Sequence, residues 1–194
     1  FSDWSSDVCS SDLPDIPSVN NEMDLDHMQK PLQMWLKQMQ KKKWRFENAP
    51  EDVLEYAVLP TENDQHFARF VIFVQVPKIN VVQSMQDIPL MKSFSPSLVE
   101  MKTLMQSNED TSLVYELFNM PMGGMTKQRD FISVVMRKSH DNEYCVMYSS
   151  VNTEKSEPAK GGIIRGYKKV AVRVYNEKPN ESCNIEIIVA ADVR

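Results

Sequence analysis

The feature that most constrains this chain is a run of six apolar segments between residues 97 and 192, rich in β-branched and aromatic residues. They read SLVEMKTLM (97–105), SLVYELF (112–118), RDFISVVMR (129–137), YCVMYSSV (144–151), IIRGYKKVAVRVY (163–175) and CNIEIIVAAD (183–192). Segments of this length and make-up form strands. They follow one another at hairpin spacing, with turn residues such as Asn108-Glu109-Asp110 between them. Strands joined this way pair antiparallel, because a parallel pair needs a long crossover. A large sheet must also bury a face against another layer.

The upstream sequence offers limited cover. Leu25, Met28, Leu32, Trp35 or Leu36, and Met39 recur at helical spacing, which predicts one amphipathic helix. Pro31 either kinks it or marks the start of its stronger half. Lys41, Lys42 and Lys43 suit its C-terminal end, where cations complement the helix dipole. Residues 14–22 carry no periodic pattern and read as a leader. VLEYAVL (53–59) and FARFVIFVQV (67–76) are two further strands, the second stopped by Pro77. Short helical pieces follow at about 78–87 and between Pro89 and Pro96. The expected class is α+β: a helix, two strands, two short helices and six strands in one curved antiparallel sheet. The N-terminal helix is one candidate to cover the concave face, but it is short for eight strands.

Composition narrows the function. The length of 194 residues suits one domain. A formal net charge of -5 gives no reason to expect nucleic acid as a partner. No apolar run approaches the length of a membrane-spanning helix. The three Cys (Cys9, Cys145, Cys183) form no CxxC, and the three His are far apart in sequence, so neither a metal site nor a cofactor is expected. Strand positions make Cys145 and Cys183 inert buried thiols. Phosphate-cradling glycine loops and a GxSxG nucleophile turn are absent.

Residues 1–13, FSDWSSDVCSSDL, stand apart. Asp3 through Leu13 resemble the translation of a common sequencing adapter, without a break. The expectation is that 1–13 is an artefact of an unfinished, metagenomic-type assembly and that 23–194 is the domain.

From Leu113 onward the chain resembles the START (steroidogenic-acute-regulatory-related lipid-transfer) family. The resemblance is carried by VYELF (114–118), QRDFISV (128–134), YSSV (148–151), IIRG (163–166) and AADVR (190–194), in order and with matching spacing. Weaker agreement reaches back to the first helix, so it spans roughly 23–194. It implies a helix-grip fold, in which a curved antiparallel sheet wraps a long C-terminal helix around an apolar tunnel for one lipid. In the family that helix follows the strand matching 183–192. This chain stops at Asp192-Val193-Arg194, and the expectation is a fragment truncated before the covering helix, with neighbouring domains lost.

Strand alternation puts Glu116 on one face with Val114 and Phe118. The resemblance makes this the tunnel face. Alternation then nominates Val114, Phe118, Phe131, Ser133, Val135 and Tyr148 as ligand-binding residues around Glu116. In sterol-binding relatives an acid at the Glu116 position pairs with an arginine at the position of Val135. Val135 departs from that pattern and leaves Glu116 either to a lipid hydroxyl or headgroup, or to solvent or another basic residue. Arg129, Asp130 and Arg165 are expected to fix strand and loop geometry through charge-assisted hydrogen bonds. In the loop NMPMGGMTK (119–127), Met120, Met122 and Met125 give an apolar edge. Two roles fit it, a packed loop or, as the resemblance implies, part of a membrane-touching gate.

The expected function is non-enzymatic: binding one lipid and transferring or sensing it between membranes, in the cytoplasm with transient membrane contact. Two alternatives stand beside it, a lipid-regulated targeting module of a larger protein and a helix-grip cyclase-type enzyme. The last lacks a paired acid and base, because Glu116 stands alone and no His falls on an inner strand face.

Overall fold

The computed structural model describes residues 16–59, 66–122, 125–140, 142–155 and 161–191. The expected artefact segment and the closing Asp192-Val193-Arg194 lie outside the described residues. The N-terminal helix is two pieces, α1 (Glu22–His27) and α2 (Gln29–Gln40). Asn21 starts α1 with a capping box: its side chain accepts from the Asp24 backbone at 3.0 Å, and Asp24 accepts from the Asn21 backbone at 3.2 Å. The break falls where Pro31 dictates. A proline ring crowds the carbonyl four residues back, here that of His27, the last residue of α1. Trp44 closes the far end by donating its indole N–H to the Met39 carbonyl at 3.0 Å.

The segment read as a leader belongs to the fold from residue 16 onward. Ser18 bridges Asn152, the Val19 backbone donates to the Asn152 carbonyl at 2.8 Å, and the Val19 side chain is fully buried.

The remaining elements are β1 (Arg45–Glu47), β2 (Glu55–Leu59), β3 (His66–Val74), α3 (Lys78–Gln86), α4 (Ile88–Phe94), β4 (Leu98–Asn108), β5 (Thr111–Met122), β6 (Met125–His140), β7 (Glu143–Ser150), β8 (Ile163–Arg165), β9 (Lys168–Lys178) and β10 (Ser182–Ala191). They form one sheet ordered β1-β2-β3-β10-β9-β7-β6-β5-β4. Neighbours on this path are antiparallel. The expected single strand 163–175 is split at Gly166-Tyr167, and β8 leaves the path to pair with β6 in parallel. The expected nine-residue loop 119–127 is shorter. The β5–β6 ladder runs through Asn119↔Gln128 to Met122↔Met125. Pro121 is tolerated there because it lies past the last β4–β5 register pair, Leu98↔Phe118, where no β4 carbonyl requires its missing N–H.

Register separates the two faces of the sheet. On one, Leu113, Ile132, Val134, Met147 and Ile188 pack against Leu25, Leu32, Trp35, Leu36 and Met39 of α1 and α2. The N-terminal helices therefore cover the face opposite Glu116, not the expected tunnel face. The helical stripe of α2 matches the β residues at 113, 132, 134 and 147, which are in phase with each other and out of phase with 116. On the Glu116 face, Val114, Val135, Tyr144, Val146 and Tyr148 form a second cluster, with Val82 and Met85 of α3 against it.

Candidate functional site

The β5–β6 ladder places Glu116 opposite Phe131, Val114 opposite Ser133, and Phe118 opposite Arg129. The β6–β7 ladder then sets Val135 opposite Tyr148. The register shifts in neighbouring ladders lie between β4 and β5 and at the start of β10, so the alternation from β5 to β7 is unbroken. All seven nominated residues thus share one face. Glu116, Val114, Phe131, Ser133, Val135 and Tyr148 are buried, and Phe118 is half-buried.

Sequence reasoning missed the residue at the centre. Lys168, the first residue of β9, brings its ammonium to 2.7 Å from Glu116 Oε2. Their side chains keep only 14% and 5% of their accessible surface. The contact is an ion pair without hydrogen-bond alignment at Oε2. The same ammonium lies 4.8 Å from the Phe131 ring centroid, 5.1 Å from that of Tyr148 and 5.3 Å from that of Phe118. Three aromatic faces and one carboxylate therefore hold the cation. Phe118 and Phe131 meet edge to face with centroids 5.8 Å apart. Lys168 reaches Glu116 from β9, not from β6, the strand that carries Val135. The signal was present in KKVAVRVY (168–175), because Lys168 is in phase with Val170, Val172 and Val174, the strand's apolar face.

Two details hold this arrangement. The Lys168 backbone donates to Ser150 Oγ at 2.9 Å, which fixes the start of β9 against the end of β7. Gly166 leaves room for Phe131. A Cβ there would overlap ring atom Cε1 and come within 2.8 Å of Cζ. Burial and the nearby Glu116 charge push the Tyr148 phenol well above its ordinary pKa, so it stays protonated. Ser133 Oγ is fully buried and has no hydrogen-bond partner among the described residues.

Arg129 and Asp130 are adjacent and point to opposite faces. Asp130 is buried and accepts two bonds from Arg165, at 2.6 Å from Nε and 2.8 Å from Nη2. The Gly166 backbone donates to the Asp130 carbonyl at 2.9 Å. This pair ties β8 to β6 and lies on the far face from Glu116. Arg129 is buried on the Glu116 face, across the ladder from Phe118. Met120 is half-buried opposite Lys127, and the side chains of Met122 and Met125 lie outside the described residues.

The covered face holds a second charged group that the sequence reading passed over. Arg69 binds Glu55 at 2.7 Å and Glu186 at 2.6 Å. Arg173 binds Glu186 and, at 2.6 Å, Glu143. Charges of alternating sign thus run across β2, β3, β10, β9 and β7. The hydrogen bonds from Arg173 hold the Glu143 carboxyl below its ordinary range. Glu55, Arg69, Arg173 and Glu186 line a cleft of about 650 Å³ together with Lys42, Lys43, Trp44 and Phe46. The cleft opens on the face opposite Glu116. Among the described residues no cluster of His, Cys, Asp and Glu could hold a metal ion, and no helix is long and apolar enough to cross a membrane. Burial pushes the Cys145 thiol up to about 12.

An antiparallel sheet with α1 and α2 on one face, and α3 beside a buried charge pair on the other, defines an α+β class with a large curved sheet. The START domain family model matches residues 21–194, and the chain belongs to that family. Its fold is shared with the crystal structure of human STARD10, at 18% identity and a TM-score of 0.70, covering 92% of this chain and 70% of that one. Human StAR-related lipid transfer protein 5 superposes with a TM-score of 0.78 at 13% identity, over 90% of this chain and 85% of that one. The lipid transfer and protein localization domain of human StarD13 gives 0.67 at 17% identity, over 87% and 83%. No curated protein sequence matches the chain.

Proposed function

We propose that the chain binds a single lipid along the Glu116 face and transfers or senses it between membranes, without catalysis. The observation that carries this reading is the Glu116–Lys168 pair, set among three aromatic rings on a face that also carries buried Arg129 and Ser133 among mainly apolar side chains. Along that face Val170, Val172, Ile187 and Val189 are half-buried, a surface suited to acyl or ring carbon. A charge pair in such surroundings is useful where it meets a polar group that the rest of the ligand carries in. An ammonium has three donors, and Glu116 engages one side of it. The remainder, with the buried Ser133 hydroxyl, suits a lipid hydroxyl or headgroup oxygen. Membership in the START family and likeness in fold to a human StAR-related lipid transfer protein support the same reading.

The test is native mass spectrometry of the chain after incubation with a membrane lipid extract. One bound lipid per chain is expected. Glu116→Gln and Lys168→Met should change the recovered lipid class while the apolar face still takes up a lipid. Recovery of no lipid from any extract would overturn the reading.

A further inference from the structure

We propose that the outer face of α2 and the strand after it form a docking surface for an anionic lipid bilayer. Between His27 and Phe46 the chain has no Asp or Glu, but has Lys30, Lys37, Lys41, Lys42, Lys43 and Arg45. This stretch is basic within a chain of net charge -5. Its placement follows from the packing of α2. Leu32, Trp35, Leu36 and Met39 are buried against the sheet, so Lys30, Met34, Lys37 and Lys41, spaced four, three and four residues apart, line the opposite, exposed side. A helix of 12 residues spreads these cations over about 18 Å.

The end of the helix extends the row. Lys41 and Lys42 donate their backbone N–H groups back to Gln38 and Met39, at 3.1 and 3.2 Å, and the Trp44 indole also closes on Met39. The turn is fixed, and Lys41, Lys42 and Lys43 are all exposed, Lys42 and Lys43 at the wall of the cleft. No ion pair involves Lys30, Lys37, Lys41, Lys42 or Lys43 among the described residues. Arg45 is neutralised by Glu47 at 2.6 Å, and the nearest cleft carboxylates, Glu55 and Glu186, are already held by arginines. Five lysines are thus left to face an outside partner.

Exposed apolar side chains decide what that partner is. Met34 (50% exposed) sits in the lysine row, Phe46 (63%) lies just past it on edge strand β1, and Met23 (70%) precedes it on α1. Nucleic-acid phosphates have no use for methionines among the cations. A bilayer interface does, because cations meet headgroups while apolar tips enter the acyl boundary. This surface lies on the helix-covered side of the sheet and goes beyond lipid uptake on the Glu116 face.

The experiment is sedimentation of the chain with vesicles of phosphatidylcholine alone and of phosphatidylcholine with phosphatidylserine. Binding to the anionic vesicles that weakens as salt rises is expected, with little binding to the neutral ones. Each surface lysine near such a membrane is worth about fivefold in affinity. Changing Lys41, Lys42 and Lys43 together to Gln should therefore reduce it on the order of a hundredfold. Changing the same three to Arg should preserve it, and Phe46→Ser should weaken it further in the Gln background. The proposal is overturned if the wild-type chain ignores anionic vesicles, if the triple Gln variant binds as well as wild type, or if a single-stranded oligonucleotide binds as tightly as the vesicles. Lipid recovery by mass spectrometry should be unchanged in the triple Gln variant, which separates failure of docking from failure of lipid binding.

Discussion

Replacing Lys168 by Met tests the centre of the site directly. Met keeps most of the apolar stem and its contacts with Phe118, Phe131 and Tyr148, but removes the charge that faces Glu116. At 2.7 Å and an effective dielectric near 20, the attraction of the pair is about 6 kcal/mol before desolvation. Desolvating both groups offsets part of that, so the pair itself adds little over an apolar replacement. Removing one member is another matter. Glu116, with 5% of its side-chain surface accessible, would then be a buried carboxylate without its ion partner. Such a change costs about 3–5 kcal/mol. For a domain of this size that lowers Tm by roughly 6–20 °C.

The double variant Lys168→Met/Glu116→Gln removes both charges and should return most of the loss. Urea unfolding followed by tryptophan fluorescence, on wild type, both single variants and the double variant, closes the cycle. A coupling of at least about 2 kcal/mol is expected. If Lys168→Met unfolds within about 0.5 kcal/mol of wild type, water reaches Glu116 freely and the site as described is wrong.

Gly166→Ala should destabilise the domain by about 1–3 kcal/mol and shift the Phe131 ring, visible as altered aromatic NMR shifts, since the new Cβ overlaps that ring. Asn21→Ala removes the capping acceptor of α1 and should cost about 1 kcal/mol in urea unfolding. Alkaline pH should weaken the fold. The Cys145 thiol, pushed up to about 12, and the raised phenol of Tyr148 ionise more readily when unfolded. The unfolded chain therefore holds fewer protons above about pH 9, and stability falls from there at up to about 1.4 kcal/mol per pH unit for each such group. A flat stability profile from pH 8 to 11 would contradict the burial of both. Glu143, held below the ordinary carboxylate range by Arg173, contributes in the opposite direction, its stabilisation fading as acid protonates it.

The strand pattern made most of the sheet readable in advance, because alternation and turn chemistry are local. Alternation also groups Val114, Glu116, Phe118, Phe131, Ser133, Val135 and Tyr148, and the ladders set these side chains on one face. What escaped depended on distance. Lys168 reaches Glu116 from a strand three places along the sheet, whereas alternation speaks only for neighbours such as Val135 on the next strand. The charge row had a local sign, a lone ion inside each of FARFVIFV, VAVRVY and CNIEIIV, but its pairing required the β3-β10-β9 order, which no short-range signal encodes. The face chosen by the N-terminal helices was hidden for the same reason. An amphipathic helix states that it will be covered, and only the assembled sheet states by which side.

That choice of side keeps the lysine row and the Glu116–Lys168 pair physically apart. With α1 and α2 on one face, the cations of α2 are directed away from the Glu116 face, and the sheet lies between them. A bilayer engaging the lysine row would gain its energy from exposed charge and would leave Glu116 and Lys168 undisturbed. Salt would then weaken docking without weakening the buried pair, because screening acts on exposed charges over about 8–10 Å and far less on groups kept from water. Raising ionic strength should therefore release the chain from anionic vesicles at concentrations that leave the Lys168→Met destabilisation unchanged. If salt instead erases the Lys168→Met difference, the pair is solvent-connected and the two faces are not electrostatically separate.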